Sequence, residues 1–155
     1  MGLSKSTSVR LATQLEPLAL LFAGADPDRM RGRPPSGKWS AHENLAHLAR
    51  YHEVFLQRLR LILTEDRPHL GRYRAEDDPE SPRWMALATD ELLRRLKSLR
   101  SELIGVVKRL SPDQLKRTGV HPVLGEMPIP MWIEFFLLHE AHHLYIALMR
   151  SRGGE

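Results

Sequence analysis

The chain contains no cysteine. That excludes disulfides, thiolate metal ligands and a cysteine nucleophile, and it accords with a reducing compartment. Any thiol chemistry would need a thiol brought in on a ligand. Aromatic residues are scarce, 6% of 155, so an apolar core has to rest mainly on Leu, Ile and Val. Long apolar runs are missing as well. The longest, residues 131–138, is interrupted by Glu134 and falls far short of the roughly 20 residues that span a bilayer. The first eight residues are polar, unlike a secretory leader. These absences predict a soluble, cytoplasmic protein with no membrane partner. Long basic runs are absent too, although the net charge is +4. Arg50, Arg58, Arg60, Arg94, Arg95 and Arg100 are dispersed among acidic residues without interleaved stacking aromatics, which argues against a nucleic-acid partner.

What is present suits a single domain over residues 1–155, with 42% apolar and 27% charged residues. Four long helical patterns divide it. Leu11, Leu15, Leu18 and Phe22 mark a first helix over about residues 6–23, which Pro17 should kink or split. A turn-rich stretch, residues 24–37, follows. Ser40 and Glu43 form a capping box that opens a second helix to about Leu63, with Leu45, Leu48, His52, Phe55, Leu59 and Ile62 on one face. Residues 64–82 make one long connection, rich in proline and charge. A third helix runs over about residues 89–110, and Ser111, Pro112 and Gln114 start a short helical turn. The fourth helix spans about residues 130–149. No alternating run of useful length predicts a strand. The expected fold is all-α, a four-helix bundle.

Eight histidines are present, and three fall within Leu138-His139-Glu140-Ala141-His142-His143-Leu144. His139 and His143 are four apart, one above the other on a single helical face. That face also carries Trp132, Phe135 and Ile146, so it should point inward. Two imidazoles one turn apart suit a small divalent ion. They could equally be two core histidines, each hydrogen-bonded to its own buried partner. A third ligand would come from another helix. His47 is available one turn into the second helix, with His42 in its exposed first turn and His52 too far round the helix to share an ion with it. His142 competes with His143, and spacing does not choose between them.

The chain resembles the DinB/YfiT-like four-helix metalloproteins over nearly its whole length. The resemblance is strongest in Lys38-Trp39-Ser40-Ala41-His42-Glu43-Asn44-Leu45-Ala46-His47-Leu48, in Gly119-Val120-His121-Pro122-Val123-Leu124-Gly125, and in His139 to Leu144. It implies His47, His139 and His143 as the metal ligands. It also implies an up-down-down-up bundle, helices two and three running parallel across the long connection, and a homodimer. Many relatives have a glutamine soon after the paired histidines; Tyr145, Ile146 and Ala147 stand there instead, which puts any substrate contact from that glutamine in doubt.

Two further patterns fail on chemistry. His139-Glu140-x-x-His143 matches a zinc-protease pattern in which the glutamate is the general base. Only 12 residues follow His143, and terminal Glu155 is the sole His, Asp or Glu among them. Glu140 remains a candidate base for another reaction. Residues 32–38 have phosphate-loop spacing, but Trp39 stands where a Ser or Thr is needed and Pro34 and Pro35 delete backbone donors.

Three neutral imidazoles would leave a divalent ion, zinc, nickel or iron, with its full charge and an open position. Such a position can lower the pKa of water or hold an incoming thiol as thiolate. The expected function is a metal-dependent enzyme on small molecules, a hydrolase or a thiol S-transferase. The resemblance favours a low-molecular-weight thiol such as bacillithiol or mycothiol as co-substrate. The alternative is a non-catalytic metal-binding stress or sensor protein. Trp39, Asn44, Tyr51, His121 and Trp132 are the candidate cavity residues. A cavity reaching solvent favours the enzyme; a sealed ion favours the alternative.

Overall fold

The structure is a computed structural model that describes residues 2–155. The first helical pattern is split. Helix α1, Lys5–Thr13, starts on Ser4, whose hydroxyl accepts from the Thr7 amide, and α2 is Leu18–Phe22. Pro17 brings no amide proton and stands directly before α2, which explains the break. Helix α3, Pro27–Arg31, occupies part of the stretch read as turns. Asp26 caps it through the Asp28 amide, and Pro27 takes the first helical position.

Helix α4, Ala41–Thr64, begins with the expected capping box. The Glu43 amide donates to Ser40 Oγ at 3.1 Å, and the Ser40 amide donates to Glu43 Oε2 at 2.8 Å. The long connection then contains a 3₁₀ turn, Ala75–Asp77, and helix α5, Ser81–Met85. Helix α6 is Thr89–Lys108, α7 is Pro112–Lys116 and α8 is Ile129–Ser151. No helix among the described residues is long and apolar enough to cross a membrane.

Contacts between side chains give the helix directions. His42 and Thr89 bond at the starts of α4 and α6, while Arg60 and Glu102 pair further along both, so these two helices are parallel. Asn44 bonds His143, His47 lies against His139, and Phe55 stacks on Phe136, so α8 runs antiparallel to α4. Arg10 meets Glu134 and Gln14 meets Glu140, so α1 runs with α8. The bundle is therefore up-down-down-up, with residues 65–88 crossing from the end of α4 back to the start of α6.

A short antiparallel hairpin was not expected. Strand β1, Thr118–His121, pairs with β2, Gly125–Pro128, from Thr118 opposite Pro128 to His121 opposite Gly125. Four-residue strands are too short for alternation to stand out from a loop. The crossover clips onto β1, where the Leu70 amide donates to the Val120 carbonyl and the Val120 amide to the Pro68 carbonyl, each at 2.9 Å. Gly119 permits this close approach: a Cβ there would sit 2.9 Å from Ile62 Cγ1. Buried Phe55, Leu59, Leu103, Trp132 and Phe136 form the core at this end of the bundle. Leu18, Leu45, Leu48, Leu92 and Leu96 form it at the other. Each such side chain contributes about 1.5–3 kcal/mol by leaving water.

Candidate metal centre

His47, His139 and His143 meet where α4 and α8 cross antiparallel. One ring nitrogen of each lies within 4.8 Å of the other two. His47 Nε2 and His139 Nε2 are 3.0 Å apart. Two nitrogens bound to one tetrahedral ion at usual lengths stand about 3.3 Å apart, so the pair is already close to ligand spacing. His143 is oriented by its neighbour on α4. Asn44 Nδ2 donates to the Ser40 carbonyl at 2.8 Å, which turns Asn44 Oδ1 towards His143 Nδ1 at 2.7 Å. His143 Nδ1 then carries the ring proton and leaves the Nε2 lone pair free. Among the described residues, Nδ1 of His47 and of His139 is buried without a hydrogen-bond partner.

The electrostatics suit a cation. Burial pushes His47 down to about 4. His143 falls to about 3, first through burial and then through the charges of His47 and His142. His139 falls to about 2, again first through burial and then through His143 and His47. All three rings are neutral at pH 7 and present lone pairs. Three neutral, converging nitrogen donors, one buried and two half-buried, with no carboxylate or thiolate beside them among the described residues, fit zinc, nickel or iron better than calcium or magnesium.

The three histidines line a cavity of about 880 Å³. Its mouth includes the hairpin residues Val123 and Leu124, 75% and 52% exposed. Trp39, Tyr51 and His121 line it as expected. Trp39 packs on His47 with ring centroids 5.0 Å apart, and Tyr51 packs on His139 at 4.3 Å. His121 Nδ1 accepts from the amides of Val123 and Leu124 at 3.2 and 3.1 Å, so its proton sits on Nε2.

Four expectations need correction. Asn44 is not in the cavity wall; it lies behind the site as the partner of His143. Trp132 is fully buried, with its indole Nε1 donating to the Gly119 carbonyl at 3.3 Å, because it packs the hairpin onto α8. His42 is not exposed; the start of α6 covers it, and it bonds Met85 and Thr89. Glu140 is not positioned as a base. It sits one residue round the helix from His139 and faces the other way, fully buried. There it pairs with Arg100, accepts from Gln14 Nε2 at 2.8 Å and lies 3.3 Å from His52 Nε2. His142 is exposed, so the inward member of the pair is His143.

Arg58, Tyr73 and Phe135 also line the cavity; Phe135 shares the face of His139 and His143 in the sequence pattern, whereas Arg58 and Tyr73 were not among the expected wall residues. Arg58, one of the arginines dispersed among acidic residues in the sequence, is only 7% exposed. The signal was available: His47, Tyr51 and Arg58 follow at intervals of four and seven, one face of a helix. Tyr73 lies in the crossover, where no periodicity announces a side chain's direction.

A family model for the DinB superfamily matches residues 10–147. The chain belongs to the DinB superfamily. Two relatives from Oceanobacillus iheyensis are named "Putative metal-dependent hydrolase". One is 27% identical over 120 residues, covering 76% of this chain and 69% of its own. The other is 31% identical over 114 residues, covering 70% of this chain and 63% of its own. The chain thus spans about two thirds of the length of these relatives. Among solved structures, YfiT from Bacillus subtilis superposes with a TM-score of 0.75 at 21% identity, covering 99% of this chain and 92% of that one. It is described as "a probable metal-dependent hydrolase with an unusual four-helix bundle topology". A DinB-like protein from Bacillus subtilis, YjoA, superposes with a TM-score of 0.60 at 15% identity, covering 96% and 92%. At these identities the likeness establishes the fold, crossover included.

Proposed function

We propose that this DinB-superfamily protein is a metal-dependent hydrolase of small molecules, with His47, His139 and His143 as ligands of one divalent ion. The observation that supports it is three neutral imidazoles converging in the wall of a cavity of about 880 Å³ that opens between the hairpin and the crossover. That volume falls in the usual range for small-molecule sites. A structural ion would instead be closed off by a fourth protein ligand. An ion held there supplies Lewis acidity, polarising an acyl oxygen and lowering the pKa of water or of a thiol.

The chain's own groups do the rest. Asn44 holds His143 in the tautomer whose Nε2 is a lone pair. Trp39 and Tyr51 pack at a tilt against the rings of His47 and His139 and help to fix their orientation. Tyr51 Oη accepts from Arg58 Nη1 at 3.0 Å, so its own proton is free for a substrate oxygen. His121 Nε2–H is a second such donor. In the relatives, hydrolysis is a name, and this chain inherits it as a proposal supported by the family membership and the open site.

Elemental analysis of the purified protein tests the first half, with about one zinc, nickel or iron per chain expected. His47→Ala, His139→Ala and His143→Ala should each lose that ion and abolish turnover of a panel of esters and amides. A fully loaded wild type that hydrolyses none of them would sink the hydrolase assignment.

One observation favours thiol transfer as a second reading. Glu140 is locked to Arg100, and the only carboxylate among the lining residues is Glu76, exposed at the rim. A low-molecular-weight thiol, once acidified, needs no carboxylate base to attack an electrophile and displace its leaving group. Conjugation assays with bacillithiol and mycothiol beside the ester panel separate the two readings.

A further inference from the structure

Arg58 is a buried cation without an anion. Its Nη1 donates to Tyr51 Oη at 3.0 Å and its Nη2 to the Gly71 carbonyl at 2.6 Å. The guanidinium also lies 5.7 Å from the Tyr51 ring centroid and 5.8 Å from that of Trp132. Both hydrogen-bond partners are neutral, and no carboxylate comes within ion-pairing distance among the described residues. The other arginines drawn into the fold differ. Arg100 pairs with Glu140 and Arg50 with Asp78, while Arg150 bonds the Gly154 carbonyl at the negative end of α8. A cation taken out of water costs free energy unless an opposite charge meets it. Arg58 lines the cavity, so an anion entering the cavity can reach it.

Its surroundings are built of donors. A guanidinium has five N–H bonds, and two are committed to Tyr51 and Gly71, leaving three. Tyr51 Oη accepts from Arg58 and keeps its own proton to give. His121 Nε2–H is uncommitted among the described residues. Arg72, the residue after Gly71, lines the same wall. An anion entering here meets donors from four side chains, and of the two arginines among them Arg58 is the buried one.

We propose that Arg58 seats an anionic headgroup of the substrate, so that the cavity takes a small organic acid whose hydrolysable bond lies over the three histidines. This rests on the hydrolase reading for the reacting end only; the anion seat stands on Arg58 itself. The spacing is set by Tyr51, which reaches Arg58 with its hydroxyl and packs its ring 4.3 Å from that of His139. Headgroup and reacting bond are thus about one tyrosine side chain apart, the length of a compact acyl compound. Tyr73 and Phe135 offer apolar surface for its body.

Binding of a matched pair of probes tests the seat: benzenesulfonate, a good guanidinium partner and a poor metal ligand, and methyl phenyl sulfone, its neutral isostere. Calorimetry on the metal-loaded wild type should show the sulfonate at least tenfold tighter. Arg58→Gln should bring the two probes within about twofold of each other, and Arg58→Lys should keep part of the preference. A merely structural clamp on Gly71 would weaken both probes alike in Arg58→Gln, and that result overturns the proposal, as does equal binding of the probes to wild type. Should Arg58→Gln not fold, the wild-type guanidinium ¹⁵N resonance of Arg58 decides: it must move with benzenesulfonate and stay still with the sulfone, and an unmoved resonance overturns the proposal. The preference can be present while every ester and amide resists turnover, which sinks the hydrolase reading and supports the anion seat. Hydrolysis indifferent to substrate charge, with no probe preference, does the reverse.

Discussion

Asn44 and Glu140 show how one helical step separates two roles. Asn44 never touches the cavity, yet its carbonyl oxygen selects the tautomer of His143. Asn44→Ala is expected to weaken zinc binding by about 10–100-fold, read by competition with a chromogenic chelator, while Asn44→Asp retains the acceptor and should lose less. Glu140 lies next to a ligand in sequence and faces a different partner set. Glu140→Gln leaves Arg100 buried without its counter-charge, and breaking such a pair costs on the order of 3–5 kcal/mol. Urea unfolding should show that loss while the metal content of the folded fraction stays unchanged. A variant as stable as wild type but stripped of its ion would mean that Glu140 serves the site after all.

At the scale of elements, the long helices were legible because each buries a stripe with a 3.6-residue period and starts at a recognisable cap. Ser40 and Glu43 fixed the start of α4, and with it the register that turns Asn44, His47 and Tyr51 towards α8. The resemblance supplied what periodicity could not, the choice of His47 as partner to His139 and His143. The hairpin stayed hidden because four residues per strand leave no pattern, and its stability comes from elsewhere: the crossover on one edge and Trp132 beneath. Its tightest point is Gly119. Gly119→Ala would force a methyl group to 2.9 Å from the Ile62 side chain, and overpacking of that kind costs about 1–3 kcal/mol. Thermal unfolding should register the loss, and the exchange protection of the Leu70 and Val120 amides should fall with it.

For the whole molecule, pH acts through histidines kept neutral by burial. His52 is fully buried, and burial together with Arg100 lowers it to about 3, against an unfolded value near 6.5. Between those values the unfolded chain binds a proton that the native state refuses. Stability from this group is therefore present above about pH 6.5 and lost as pH falls, by about 1.4 kcal/mol per pH unit. His47, His139 and His143 act in the same direction. Glu140, raised by burial, acts in the opposite one, since its native form takes up a proton first. Four histidines outweigh one glutamate over most of the range. The metal-free protein should hold a level melting temperature above pH 7 and lose it steadily towards pH 4; a flat profile there would contradict neutral burial of these rings.

His47 and His139 stand 92 residues apart in the chain and 3.0 Å apart in space. An ion joining them is a reversible cross-link in a polypeptide that has no covalent one. Unlike a disulfide, this link opens when the chain unfolds, so it stabilises by favouring the folded state alone. Mass action adds about 2.7 kcal/mol when the free ion stands at a hundred times its dissociation constant. Chelator and denaturant should consequently act as one agent on this fold: the urea midpoint ought to climb with each increment of free zinc until the site saturates, and to fall back when the ion is withdrawn.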